Sequence, residues 1–286
     1  KEKKETSLVA RLLPELYKKM GCDASILIDS TKKKPSEKTA APNLTVRGYE
    51  LIDEAKKRLE AACPSIVSCA DIITLATRDS VALVGGPNYA VQTGRRDGRV
   101  SNRNDVNLPG PSFSVSQAFQ AFNAKGLTLN EMVTLLGAHT VGVAHCRFFA
   151  NRLSNFQGTG AADPSMDSGL VSKLKQICGT TSSSTDPTVL LDQDTSFVFD
   201  NQFYNQIRVK KGILQIDQEL TLDSSTTGIV FGFASNNTSF GESFINAMVK
   251  MGSIEVLVGK AGEIRKNCRV FNRRTRKHPG TETVNQ

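Results

Sequence analysis

The sequence predicts a mostly α fold, and three observations carry that reading. Apolar residues recur at helical spacing in several separate stretches. No repeat of constant period and no alternation of strands with helices interrupts them. Apolar runs such as IVFGF and LVGG are short, well under the ~18 residues of a membrane span, so no membrane span is expected. A chain of 286 residues with 39% hydrophobic content can bury a substantial core, as one large domain or two small ones.

Taken in order, residues 1–20 are charged and then weakly amphipathic, and Pro14 argues against a continuous helix from Thr6 to Met20. Residues 21–42 read as a loop whose Asp23, Ser25, Asp29 and Ser30 supply turn chemistry and oxygen atoms. Closely spaced oxygens suit calcium, although by themselves they more often mean an ordinary polar turn. From Tyr49 a helix is expected, with Leu51, Ile52, Ala55, Leu59 and Ala62 on one face and Cys63–Pro64 as its end. A buried helix carrying Cys69, Ile72, Ile73, Ala76 and Val81 follows, stopped by Gly85, Gly86 and Pro87. The turn-rich stretch 88–111 holds GRRDGR, either a loop tied by Arg–Asp pairs or an anion site. Further helices are expected over 116–125, 129–137, 168–178, 197–209 and 239–252, with 254–258 extended.

The net charge of +8 is spread along the chain, with local excess in Lys32–Lys34 and in the tail Arg273, Arg274, Arg276 and Lys277. These clusters lack interleaved aromatics, and the chain has no Trp and four Tyr, so nucleic acid is not an expected partner. Such a surface suits acidic polysaccharide. Six cysteines without a CxxC pair favour disulfides over zinc and an oxidising compartment. Sequons at Asn43, Asn236 and Asn237 add little to that. No signal peptide is visible in KEKKETS, so the N-terminus is expected to be processed, truncated or atypical.

His139 stands at the centre of LLGAHTVGVAHC. Met132, Leu135 and Leu136 precede it at helical spacing, which sends its imidazole from a helix end into the interior. A lone buried histidine is more often bonded to backbone than to a metal. His145 does not complete a zinc pair, because six residues on a helix turn it through about 240°.

The motifs GCDAS, SEKTA, VRGYELID, ACPSIVSCADI, GRRDGR, LPGP, LLGAHTVGVAHCRFF, LDQDTSFVFDNQFY, LQIDQEL and GEIRKNCRVFN follow one another along the chain. In this order they resemble the secreted plant-type (class III) haem peroxidases, which oxidise phenols with hydrogen peroxide. The resemblance runs from Gly21 to Asn272 and implies a two-lobed, mostly α fold with haem between the lobes. It divides the chain into a divergent segment 1–20, a peroxidase domain 21–272 and a basic tail 273–286.

Within that resemblance His139 takes the place of the axial ligand of haem b, and Asp217 that of the carboxylate that fixes its tautomer and makes it electron-rich. Thr140, Asp192, Thr195, Asp200 and the carbonyl of Val198 match a proximal calcium site. Gly21, Asp23 and Ser25, supported by Glu37, match a distal calcium site that lacks two of its ligands and is expected to be weak. Pro109 matches the aromatic-donor entrance, with Phe148 near the haem edge. The resemblance pairs Cys69 with Cys268 and Cys146 with Cys178, leaving Cys22 and Cys63 without their family partners. It implies a monomer that is secreted to the cell wall or vacuole and takes small phenolic donors and hydrogen peroxide.

The resemblance fails just before GCDAS. Family members carry a motif like RLHFHDCFV there, whereas this chain reads RLLPELYKK. The distal histidine is missing, Leu16 replaces a calcium-binding aspartate, and Tyr17 replaces a cysteine. Asn43 matches the asparagine that would position the missing histidine. Arg11 and Glu15 fall at the positions of the family arginine and histidine, but Pro14 disrupts the helix that would aim them. The expected outcome is a peroxidase with impaired turnover. The rival readings are a haem-binding pseudoenzyme and a non-haem basic wall-binding protein.

Overall fold

The positions of the helices follow from their caps and from one buried stripe on each. The computed structural model describes residues 22–179 and 186–273. Its first helix, α1 (Tyr49–Ala62), starts after Gly48, whose φ of 90° suits a residue without Cβ. Its buried stripe runs through Ile52 and Lys56, with Ala55 and Leu59 half-buried, while Leu51 and Ala62 face solvent. The expected face is therefore rotated by about one residue. The buried Lys56 explains the shift, since its ammonium donates to the Val67 carbonyl (2.6 Å) and pairs with Glu60 (2.7 Å).

Helix α2 (Cys69–Leu83) is capped by the Ser68 hydroxyl, which accepts from the Asp71 N–H. Helices α3 (Val115–Asn123) and α4 (Leu129–Leu136) each begin with a capping box, Ser114/Gln117 and Thr128/Glu131. Beyond α4 the chain tightens into a 3₁₀ turn, Gly137–Thr140, that carries His139. Gly137 is required there, because a Cβ would fall 2.2 Å from the Tyr204 hydroxyl.

Two short strands, β1 (Val143–His145) and β2 (Thr188–Leu190), pair antiparallel in the register Val143↔Leu190. Between them lie α5 (Ala150–Ser154) and α6 (Ser168–Cys178). The chain continues through α7 (Gln202–Arg208), α8 (Gln215–Glu219), α9 (Ser224–Ser235) and α10 (Asn237–Met251). The helix expected over 197–209 is shorter, because 197–201 form an irregular turn instead. Helix α9 lacks a clear sequence signal: Gly228 and Gly232 weaken its propensity, and burial of Thr226, Val230 and Phe233 decides its conformation.

Among the described residues the interior falls into three apolar clusters. The largest surrounds α4, which α9 and α10 pack against, with Phe199, Tyr204, Phe233, Phe240 and Phe244 ring to ring. A second joins Phe149, Leu153, Leu174 and Val189 around the Cys146–Cys178 disulfide. The third joins Ile26, Ile52, Ile72 and Ile73 around Cys69–Cys268. Cys22 and Cys63 are not disulfide-bonded. No helix among the described residues is long and apolar enough to cross a membrane.

GRRDGR acts as a structural tie. Arg95 pairs with Asp71 (3.2 Å) and donates to the Gly252 carbonyl (2.9 Å). Asp97 accepts from the N–H groups of Cys69, Ala70 and Arg265. The loop's charges are thus spent on the start of α2 and on the C-terminal segment, and the anion-site alternative is not needed.

Candidate functional site

A cavity of about 280 Å³ opens where the first apolar cluster meets the second. Leu135, Leu136 and Ala138 line one side, Ala144 and Leu191 another, and the turn Leu108–Pro111 a third. Pro109, Phe148 and His139, all singled out in the sequence, reach the same space. Pro42 also lines it.

His139 is the polar group in this apolar wall. Its Nδ1 lies 2.8 Å from Asp217 Oδ1, and Asp217 is buried. Among the described residues Nε2 makes no hydrogen bond, so that nitrogen is available to the cavity. Burial works to lower the pKa of the imidazole, but the adjacent Asp217 carboxylate outweighs it and holds the pKa above the ordinary value. A Phe203 ring stands edge-on to the imidazole, centroids 6.1 Å apart. One nitrogen anchored to a buried carboxylate and the other facing an apolar cavity is a donor set that fits a haem ligand. His145 lies apart, with its Nδ1 3.0 Å from the Asp186 carbonyl.

Next to His139, Thr140 points the other way into a knot of oxygens. Its hydroxyl is 3.2 Å from Asp192 Oδ2 and 3.2 Å from Asp200 Oδ1. The Thr195 hydroxyl sits 3.2 Å and 3.1 Å from the same two atoms. Val198 closes the turn by donating its N–H to the Thr195 carbonyl (2.8 Å). Burial pushes the Asp192 carboxyl above its ordinary range and the Asp200 charge adds to this, while N–H groups of Thr195 and Asp194 oppose both. Two carboxylates and two hydroxyls crowded together are hard oxygen donors, which fits a calcium ion.

Near the start of the described residues, Asp23 is fully buried and its Oδ1 accepts from the Ser25 N–H (3.0 Å) and hydroxyl (2.5 Å). Its Oδ2 is buried with no hydrogen-bond partner among the described residues. Gly98 makes room for it, since a Cβ there would fall 1.9 Å away. Glu37 is buried, its N–H donating to the Ser101 hydroxyl and its carbonyl accepting from the Asn43 amide (2.8 Å). Gly21, the remaining residue of the expected distal calcium site, lies outside the described residues, as do Arg11, Glu15, Leu16 and Tyr17.

Sequence reasoning missed three buried polar residues that brace these groups. Gln206 donates to Asp192 Oδ1 and accepts from the Gln193 N–H (3.2 Å). Arg152 pairs with Asp163 (2.7 Å) and donates to the carbonyls of Gly212 and Ile213. Gln218 follows Asp217 directly and is 1% exposed. Their only sequence signal was a polar residue on an otherwise apolar face.

A helical fold with an imidazole facing an apolar cavity is a scaffold that fits a metal-containing cofactor, and comparison with known proteins narrows the class. The family described as "Peroxidase" matches residues 7–236. The chain is 60% identical to Peroxidase 44 of Arabidopsis thaliana over 253 residues, 88% of this chain and 78% of that protein. It is 58% identical to Peroxidase 57 of the same plant over 252 residues, again 88% and 78%. Probable peroxidase 61, also from Arabidopsis thaliana, is 44% identical over 277 residues, 94% of this chain and 81% of that one. The chain therefore belongs to the plant peroxidase family, an enzyme family whose members generally use haem and calcium.

Proposed function

We propose that the chain binds haem b in this cavity and oxidises small phenolic donors with hydrogen peroxide, with impaired turnover. The observation that carries the reading is the His139–Asp217 pair, 2.8 Å long and facing the cavity. Haem, when bound there, would supply the redox-active iron. His139 would hold it, and Asp217, accepting from Nδ1–H, would fix the tautomer and orientation of the ring and make the ligating nitrogen electron-rich. The turn at Pro109 and the ring of Phe148 would receive the donor.

Turnover is reduced because reaction with peroxide requires a base that takes a proton from one oxygen and returns it to the other. At the position before GCDAS where the family carries that histidine, this chain has Glu15. Loss of such a group costs about 10²- to 10⁴-fold in rate. The same observation supports a second reading, a haem-binding pseudoenzyme. Calcium would occupy the oxygen knot of Thr140, Asp192, Thr195, Val198 and Asp200, and weakly the site at Gly21, Asp23, Ser25 and Glu37. The domain would span 21–272 and act as a monomer. Two disulfides fit export to the cell wall, where exposed Lys32–Lys34 would meet acidic polysaccharide.

Reconstitution with haem followed by stopped-flow mixing with peroxide tests these readings. A Soret band whose axial signature disappears in His139→Ala supports the cofactor. Slow but measurable peroxide reduction supports the impaired enzyme, and none supports the pseudoenzyme. No Soret band overturns both.

A further inference from the structure

The carboxylate behind His139 sits on a helix too short to orient it. Helix α8, Gln215–Glu219, is five residues long, and an isolated helix of that length is not stable in water. Its rotation about its own axis must be fixed from outside. That rotation matters: side chains reach about 5–6 Å from a helix axis, so a turn of about 10° moves a carboxylate by about 1 Å. A 2.8 Å bond lengthened by that amount is no longer a hydrogen bond.

Gln218 supplies the external fix. Its Nε2 donates to the Ile207 carbonyl (2.8 Å) at the end of α7 and to the Thr221 hydroxyl (2.8 Å). Its Oε1 accepts from the Gly212 N–H (3.1 Å). Gly212 is fitted to this amide, since a Cβ there would fall 3.1 Å from both Gln218 N and Oε1. Arg152 clamps the carbonyls of Gly212 and Ile213 from the other side. Helix α7 in turn carries Phe203, whose ring meets His139. Both ends of the amide are thus committed, and they lock α8 to the helix that walls the imidazole. Apolar burial of Ile216 and Leu220 holds α8 against the core, but alkyl contacts are not directional.

We propose that Gln218 is a positioning residue: its buried amide sets the rotation of α8 and thereby the strength of the Asp217–His139 hydrogen bond. The proposal rests on His139 being the haem ligand, and the test separates the two.

The experiment is resonance Raman of the reduced, haem-loaded full chain, read at the iron–histidine stretch, together with the reduction potential. Asp217→Asn marks the weak-bond limit, with a lower stretching frequency and a more positive potential. Gln218→Met, which keeps the volume and removes all three hydrogen bonds, is expected to shift both quantities in that direction by a smaller amount. Gly212→Ala, which presses a methyl against the amide, is expected to do the same and serves if Gln218→Met does not take up haem. Leu174→Val in the second apolar cluster controls for lost stability and is expected to shift neither. An unchanged frequency and potential in folded Gln218→Met or Gly212→Ala overturns the proposal. A stretch that persists in His139→Ala overturns the ligand assignment instead.

Discussion

The Thr140 hydroxyl lies 3.2 Å from Asp192 Oδ2, one residue away from the imidazole that faces the cavity. The oxygen knot and the candidate haem ligand therefore share a single 3₁₀ turn, and whatever occupies one constrains the other. Removing calcium with a chelator is expected to lower the melting temperature and to change the haem spectrum together, both reversing on readdition. Asp192→Ala should abolish this response. Calorimetry and absorption spectra of the loaded protein check it, and a spectrum indifferent to calcium would contradict the link.

Replacing Asp217 by Asn leaves the imidazole in place but exchanges a charged acceptor for a neutral one. Loss of such a supporting group typically costs about 10- to 100-fold in metal affinity or activity. Haem titration of Asp217→Asn should show weaker uptake in that range, whereas His139→Ala should lose the axial bond. Equal affinity for Asp217→Asn and the unaltered chain would mean that the carboxylate is only structural.

The two disulfides should differ in worth because of the loops they close. Cys69–Cys268 spans 199 residues and Cys146–Cys178 spans 32. On the chain-entropy account the longer loop contributes about 1.6 kcal/mol more, with each bridge worth about 2–5 kcal/mol. Denaturant unfolding of the two double Cys→Ser variants measures the difference, and a larger loss for the shorter loop would contradict the order.

Acid should weaken the Arg152–Asp163 clamp. Burial favours the neutral carboxyl of Asp163, but hydrogen bonds from Ser165 and Arg152 outweigh it and hold the pKa below the ordinary carboxylate value. A folded-state pKa depressed below the unfolded value of about 3.9 gives stability that is present above that pH. The contribution fades as pH falls through the folded value. Unfolding free energies of the unaltered chain and of Asp163→Asn should therefore converge below about pH 4. Parallel curves down to pH 2.5 would rule this out.

Arg11→Leu and Glu15→Ala test the remaining acid–base candidates. The expected result is an unchanged rate of reaction with peroxide for both, since a proline between them disfavours the continuous helix that aiming both would require. A drop in either rate would assign them a role.

The parts of this molecule that were legible in the sequence are those with local causes. Helices α2, α4, α6 and α10 show their period and their stops, and the bridges Cys69–Cys268 and Cys146–Cys178 follow from the family resemblance. The parts that were not legible depend on distant partners. Leu51 faces out because Lys56 finds the Val67 carbonyl, which no periodicity reveals. The strands β1 and β2 are three residues each and exist only through each other. Gln206 and Gln218 look like ordinary polar residues until α7 and α8 are placed side by side.

Arg265 donates to the carbonyls of Asp23, Ala24, Gly98 and Cys268, and it is fully buried. During synthesis, which adds about 5–20 residues per second from the N-terminus, residues 22–28 must wait for some 240 others before this guanidinium arrives. Cys69 waits for a separation of 199 residues before Cys268 arrives, with Cys22 and Cys63 already in the nascent chain. Closure of this end of the molecule is therefore a late event in synthesis.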